Sequence, residues 1–146
     1  MMIRRHAAVA GAVVLGAFAL TGCEKPTPIV TLVNGSDSVA IEETCKKSEL
    51  ASVEDARKCS EKDRKVLKVT TGTTLRIGVE QELADAGWQV QIGDRQSDVI
   101  KDKTFQNIYT VPDDAFEEEK QIPVSVFKVD KAGEPTGVWS FALEKK

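Results

Sequence analysis

The chain has 146 residues, a length that suits one domain with a single hydrophobic core. Acidic side chains outnumber basic ones by 23 to 20, so the charge balance gives no reason to bind nucleic acid or anionic lipid head groups. The only histidine, His6, lies close to the start of the chain, which limits the chemistry open to the rest of it.

Residues 1–22 have the pattern of a bacterial export signal. Residues 1–6 form a basic start, and residues 7–20 are a 14-residue run of Ala, Val, Gly, Leu and Phe only. A helix needs about 20 apolar residues to cross a bilayer, so this run fits the core of a cleaved signal peptide better than a transmembrane helix. Residues 20–23 (Leu-Thr-Gly-Cys) follow the run and resemble the bacterial lipobox.

The lipobox resemblance implies that Cys23 receives a diacylglyceryl group and that the chain is cut directly before it. Acylation of the new amino terminus often follows, and two or more acyl chains give a stable anchor where one is marginal. The implied location is the extracytoplasmic face of the cell membrane, with the lipid on Cys23 as the only membrane attachment. An ordinary secretory peptide with a chance cysteine, or an uncleaved anchor, is the alternative.

Cleavage before Cys23 would remove every histidine and methionine, because His6, Met1 and Met2 all precede it. The remaining 124 residues carry 18 basic and 23 acidic side chains, a net charge of −5. Without histidine, Ser-His-Asp catalysis, Cys-His catalysis and histidine-containing zinc sites are excluded. We therefore expect a protein that is not an enzyme and that holds no cofactor and no metal.

Residues 23–28 are predicted to form the acylated cysteine and a Pro-rich tether, and residues 29–146 the folded domain. Pro26 and Pro28 favour an extended stretch that rises ~3.1 Å per residue. Such a short and stiff tether predicts a domain held close to the bilayer.

Short segments with strand character follow the tether. In 74–80 and 88–92, apolar side chains alternate with polar or small ones, as in strands with one buried face. The dipeptide Asn34-Gly35 predicts a tight turn with positive φ. The predicted strands are 29–33, 38–41, 65–70, 74–80, 88–92, 104–111, 122–129 and 138–143, with a hairpin loop at 130–137. Seven or eight short strands predict an all-β fold, a single immunoglobulin-like antiparallel β-sandwich.

A densely charged insert, residues 42–64, interrupts the strands and contains Cys45 and Cys59. An even pair of cysteines outside the cytoplasm favours a disulfide, so we predict that these two are bonded. Closing a loop of about 15 residues should stabilise the fold by ~3 kcal/mol in the chain-entropy model. A redox-active pair is the alternative, but 13 intervening residues do not give the local geometry of a Cys-x-x-Cys motif.

The same insert contains a weak helix signal. Residues 52–55 (Ser-Val-Glu-Asp) resemble a capping box, which marks the start of a helix. Leu50, Val53 and Ala56 would form a narrow apolar stripe on it.

Two further features have a structural and a functional interpretation. Trp88, Trp139 and Phe141 lie on apolar strand faces, which favours core packing over ligand stacking. Residues 112–119 (Pro-Asp-Asp-Ala-Phe-Glu-Glu-Glu) hold clustered carboxylates that suit calcium, but they lack the spacing and the glycine of an EF-hand loop. We predict a solvated turn there, with Phe116 packed against the core.

Several features together resemble an uncharacterised lipoprotein family of high-GC Gram-positive bacteria, catalogued as domain of unknown function 2771. They are the lipobox, the Pro-rich tether, the paired cysteines, Thr71-Gly72 followed by 74–79 (Thr-Leu-Arg-Ile-Gly-Val), and 88–90 (Trp-Gln-Val). The resemblance implies a single-membrane envelope and hence the outer face of the cytoplasmic membrane. It transfers no catalytic or ligand-binding residues.

Two functions fit these observations. The first is a non-catalytic envelope lipoprotein that binds a protein or cell-wall partner at the membrane surface; an exposed apolar patch or a bare sheet edge would favour it. The second is a small ligand-binding or enzymatic lipoprotein that uses carboxylates in a cleft. A deep pocket with converging Asp or Glu side chains of raised pKa would favour the second.

Overall fold

The computed structural model describes residues 25–146, so the predicted signal peptide and Cys23 lie outside the described residues. The described part contains ten strands, two α-helices and one 3₁₀ turn. The strands are β1 Val30–Asn34, β2 Asp37–Ile41, β3 Cys45–Lys46, β4 Lys65–Val69, β5 Thr74–Val79, β6 Trp88–Ile92, β7 Arg95–Gln96, β8 Phe105–Thr110, β9 Gln121–Val129 and β10 Pro135–Lys145. The helices are α1 Val53–Ser60 and α2 Gln81–Ala86, and the 3₁₀ turn is Lys47–Glu49.

The strands form two sheets that enclose one core. The smaller sheet has the order β2-β1-β5-β8 and the larger the order β3-β10-β9-β6-β7. β4 joins the larger sheet beside the second half of β10, where it runs parallel, whereas the other strand pairs are antiparallel. Apolar residues of both sheets belong to a single buried cluster, as in a β-sandwich.

The predicted sandwich is confirmed. Pairing of β5 with β8 and the order β10-β9-β6 correspond to the B–E and G–F–C pairings of immunoglobulin-like domains. The parallel pair β4–β10 departs from the expected all-antiparallel arrangement. The strand count also exceeds the predicted eight, because β3 and β7 have only two residues each and are too short to show periodicity.

The inner face of the larger sheet holds the largest core side chains. Trp88, Trp139 and Phe141 are fully buried, so their predicted role in core packing is confirmed. Each indole N–H also has an acceptor: Trp88 Nε1 donates to the carbonyl of Lys103 at 3.0 Å, and Trp139 Nε1 to that of Pro28 at 2.9 Å. The second bond fixes the end of the tether to the core, because an unpaired buried N–H costs about 1–3 kcal/mol.

The outer face of the larger sheet is partly covered by the insert. Cys45 and Cys59 form the predicted disulfide, with a Cα–Cα distance of 6.1 Å. With Ala56 they form a second buried cluster whose sheet-side members are Phe127, Val129 and Val138. The insert thus adds a third layer, held by the disulfide, by the pairing of β3 with β10 and by a few apolar contacts.

The start of α1 agrees with the capping prediction, but its apolar face does not. Ser52 Oγ accepts from the backbone N–H of Asp55 at 3.2 Å, as an N-cap residue does. Val53, however, is 65% exposed, and Cys59 packs against the sheet in its place. The predicted stripe was wrong at Val53 because Ala56 and Cys59, one helical turn apart, already define the buried face.

The first hairpin differs from the prediction by one residue. Asn34 pairs with Asp37, so the two-residue loop is Gly35-Ser36 rather than Asn34-Gly35. Gly35 has φ +62°, which suits a glycine at the first loop position. Asn34 is buried instead, and its Oδ1 accepts from the N–H of Thr70 at 3.0 Å and from Thr73 Oγ1 at 2.9 Å. These bonds hold the turn through which the chain passes from β4 to β5.

Helix α2 was not predicted. It has six residues between β5 and β6, and its Leu83 and Ala84 are buried. A helix of this length shows less than two turns of periodicity, so the sequence pattern carries little signal. In the turn 112–119, Phe116 and Ala115 pack partly against the core, as predicted for Phe116, and the acidic side chains are exposed.

Candidate functional site

A groove of about 460 Å³ lies between α1 and the outer face of the larger sheet. It exists because α1 packs mainly over β10, so that Ala56 and Cys59 reach the outer face of β9, whereas the outward side chains of β6 stay outside the buried cluster. Its volume falls within the range of about 300–1,000 Å³ that is typical of ligand sites. We call it the outer groove.

The floor of the outer groove is apolar. It is formed by Phe127 and Val129 of β9, with Ala56 of α1 on one side. Pro135 lies at the end near the β9–β10 hairpin, and Pro123 lies toward the opposite end of β9. The groove therefore follows β9 along its length.

Amide side chains line the opposite side of the outer groove. Gln89 and Gln91 belong to the outward face of β6, and Gln96 belongs to β7. Gln96 Nε2 donates to Gln89 Oε1 at 3.3 Å, and Gln91 Nε2 donates to the carbonyl of Gly93 at 3.2 Å. These bonds fix the direction of the amides, which gives the groove oriented polar groups beside an apolar floor.

Two arginines on the α1 side differ in what they contact. Arg57 is held by carboxylates on both sides, at 2.6 Å from Glu54 and 2.8 Å from Glu61. The hydrogen bonds that Arg57 donates to Glu54 lower the pKa of Glu54 and raise the pKa of Arg57. Arg64 donates only through Nε, to the carbonyl of Ser60 at 3.0 Å. Among residues 25–146, its two terminal nitrogens have no partner, so Arg64 is the cation that a ligand would meet.

The outer groove has the groups for binding but lacks an arrangement for carboxylate catalysis. The one carboxylate among its lining residues, Glu61, is paired with Arg57. In the described part of the chain, no three His, Cys, Asp or Glu side chains lie close enough to share a metal ion, the acidic turn included. The same residues contain no helix that is both long and apolar enough to cross a membrane.

A second surface surrounds the end of the tether. Six lysines and four carboxylates line it: Lys25, Lys46, Lys47, Lys101, Lys128, Lys131, Glu43, Glu82, Asp85 and Asp130. We call it the lysine pole. The ammonium groups of Lys25 and Lys128 both contact Glu82, and the hydrogen bond from Lys25 is the main cause of the lowered pKa of Glu82. Burial raises the pKa of Glu43, which lies deeper.

The smaller sheet offers an edge strand, the feature expected of a strand-pairing module. β8 is one of its two edge strands, the other being β2, and Phe105 of β8 is 51% exposed. However, the guanidinium of Arg76 lies 5.7 Å from the centre of the Phe105 ring, and the pairing register with β5 shifts at Leu75/Arg76. A cation over the ring and an irregular ladder both hinder addition of a further strand. The outer groove is the better candidate.

The sequence-predicted site residues and the outer groove do not coincide. Cys23 lies outside the described residues. Cys59 belongs to α1 and Cys45 to β3, so their disulfide ties the groove wall to the sheet without lining the groove. Sequence reasoning did not identify Arg64 or the amides, although the alternation of Gln89 and Gln91 on a wet strand face was visible. No protein-family model and no curated protein matches the chain, so the family resemblance stays a prediction.

Proposed function

We propose that the protein is a lipid-anchored envelope module that binds a protein or cell-wall partner through the outer groove, at the extracytoplasmic face of the cell membrane. The observation that carries the proposal is the outer groove itself, an apolar floor flanked by oriented amides and the unpaired terminal nitrogens of Arg64. The lipobox pattern ending at Cys23 supports the anchor, and the disulfide Cys45–Cys59 is typical of a protein outside the cytoplasm.

The shape of the groove favours an extended partner segment. It follows β9 and is lined near both ends of that strand, by Pro123 and Val129, with Ser125 and Phe127 between them. A chain laid along it would meet apolar and polar groups in turn, and the amides and Arg64 would fix its direction through hydrogen bonds. Binding without catalysis agrees with the pairing of Glu61 by Arg57.

Photo-crosslinking from inside the groove tests this function. A photoreactive amino acid at Val53, which lines the groove and is 65% exposed, should capture one stoichiometric envelope component in the membrane of origin. The matched control carries the same amino acid at Ala40, an exposed residue of β2 on the smaller sheet, and should capture none. Equal capture from both positions, or none from Val53, would contradict the proposal.

A pair of charge variants tests the role of Arg64. Arg64→Ala should weaken the crosslink from Val53 by about tenfold, the loss expected for one charge-assisted contact of ~1.4 kcal/mol. Lys62→Ala removes the same charge two residues away, outside the groove, and should leave the yield unchanged.

A further inference from the structure

We infer that the lysine pole rests against anionic phospholipid head groups and thereby sets the direction in which the anchored domain faces. The inference rests on the proposed acylation of Cys23. It concerns a different surface from the outer groove and gives the bilayer itself as the partner of that surface.

The position of the tether places this surface at the membrane. The carbonyl of Pro28 accepts from Trp139, and Lys25 contacts Glu82, so both ends of the segment 25–28 are attached to the domain. Two residues of extended chain span at most about 7 Å. An acyl group on Cys23 therefore enters the bilayer within about 7 Å of Lys25, which belongs to the lysine pole.

The charges of the lysine pole differ from those of the whole chain. Acidic residues predominate in the sequence, but six lysines face four carboxylates here, with Glu80 near Lys25 as a further acidic group. Among residues 25–146, the exposed ammonium groups of Lys47, Lys101 and Lys131 make no ion pair or hydrogen bond. These three are available to phosphate oxygens of lipid head groups.

Most carboxylates of the pole are already engaged within the domain. Glu82 is shared by Lys25 and Lys128. Asp130 accepts from the backbone N–H groups of Ala132 and Glu134 at 2.9 and 3.0 Å and so shapes the hairpin loop. The backbone hydrogen bonds hold Asp130 in place without removing its charge, so with Glu80 included the pole has six lysines and five carboxylates. The positive groups left to a membrane are therefore the three ammonium groups that are unpaired among the described residues.

The acidic turn 112–119 lies toward the opposite end of β9, where Lys120 and Lys145 offset part of its charge. β9 starts at Gln121, just after the acidic turn 112–119, and ends at Val129, next to Asp130 and Lys131 of the pole. Nine residues of strand place the two ends about 30 Å apart, several Debye lengths at physiological salt. An anionic surface attracts the lysine pole and repels the acidic turn, so one orientation is favoured. The long axis of the outer groove then points away from the bilayer, and the end at Pro135 is the one nearer to the bilayer.

Energy transfer from the full, acylated chain in lipid vesicles tests the orientation. One cysteine is added to the chain and labelled with a donor dye. It replaces either Ala132, beside the pole, or Ser36, in the hairpin turn at the far end of β1. Vesicles carry a head-group acceptor and contain either zwitterionic phosphatidylcholine alone or added anionic phosphatidylglycerol. With anionic lipid, transfer from Ala132 should exceed transfer from Ser36 at least threefold, and high salt should reduce that ratio.

Two matched triple variants locate the charges that matter. Lys47→Gln/Lys101→Gln/Lys131→Gln should bring the ratio close to its value in phosphatidylcholine. Lys62→Gln/Lys120→Gln/Lys145→Gln removes the same charge outside the pole and should keep it. A transfer ratio that does not change with anionic lipid, or that both triple variants reduce equally, would overturn the inference.

Mass spectrometry of Cys23 separates the anchor from the docking. If Cys23 carries no acyl chains, the proposed anchor is wrong and the docking fails with it. Acylated protein that shows no preferred orientation contradicts the docking alone.

Discussion

The two faces of the larger sheet are built from alternate residues of the same strands, yet they are buried in different ways. The inner face packs Trp139, Phe141 and their neighbours into a continuous core shared with the smaller sheet. The outer face is covered only by the insert, through a small cluster around the disulfide and Val138. Core packing and the proposed binding surface therefore lie on opposite sides of one sheet, because a strand presents successive side chains to opposite faces.

The strongest test of this division is a cavity on the inner face. Trp139→Ala should lower the free energy of unfolding by about 3–5 kcal/mol, because it removes a fully buried indole and leaves the carbonyl of Pro28 without its donor. Chemical denaturation of the purified chain measures the change. Trp139→Phe is the matched variant: it keeps most of the apolar volume and should cost about half as much or less. Equal losses would show that the hydrogen bond, not the packing, dominates.

Removing the disulfide tests the outer face alone. Cys45→Ala/Cys59→Ala should cost about 2–4 kcal/mol, since it frees the loop closed by the bond in the unfolded chain. Hydrogen exchange should speed up in α1 and stay slow in β6 and β9, because the core between the sheets is untouched. Loss of protection throughout the sandwich would mean that the two faces are not independent.

A glycine at the junction of the two faces gives an intermediate effect. A methyl group at Gly137 would meet Glu43 Oε1 and would lie 3.1 Å from the ring of Trp139. The carboxylate can move but the buried ring cannot, so Gly137→Ala should cost about 1–3 kcal/mol. Adding Glu43→Ala should restore only part of the lost stability, because the contact with the Trp139 ring remains. Gly78→Ala is the control, because its nearest neighbour is 3.9 Å away, and a thermal melt should show little change.

The smallest effect concerns the pH dependence of stability. Burial raises the pKa of Glu43, so the folded state disfavours its charged form. Below the ordinary pKa of glutamate, Glu43 is protonated in the folded and in the unfolded state, so its burial costs no stability. As the pH rises through the higher pKa of the folded state, the free energy of unfolding falls. Glu43→Gln should therefore melt slightly above the wild type at pH 7 and show no advantage at pH 3.5. An advantage of equal size at both pH values would point to packing instead of charge.

Much of the fold could be predicted because strand signals are local. The alternation in β5 and β6 located both elements to within a residue, and the same pattern identified Trp88 as a core residue. The two-residue strands β3 and β7 and the six-residue helix α2 were not predicted, because two residues show no alternation and six residues cover less than two helical turns. The hairpin loop Gly35-Ser36 was misplaced by one residue, since Asn34 is drawn into tertiary hydrogen bonds.

The candidate site could be predicted much less well. Arg64, Gln89 and Phe127 come from three separate stretches of the chain, and nothing in any one stretch indicates that they share a groove. The lysine pole is also an assembly of distant residues. A net charge summed over the sequence cannot show it, because the sum averages a basic end with the acidic turn 112–119.

Features that depend on short spacings are visible in the sequence alone: the lipobox pattern at Cys23, the strand periodicity, and the even pair Cys45 and Cys59 in an insert too polar to form its own core. Tertiary structure decided where that insert packs and what it leaves open. Because β9 and β10 bury both of their faces, the cover on the outer face sets the groove. The fixing of Pro28 by Trp139 likewise sets which end of the sandwich the tether leaves, and that contact spans more than a hundred residues of chain.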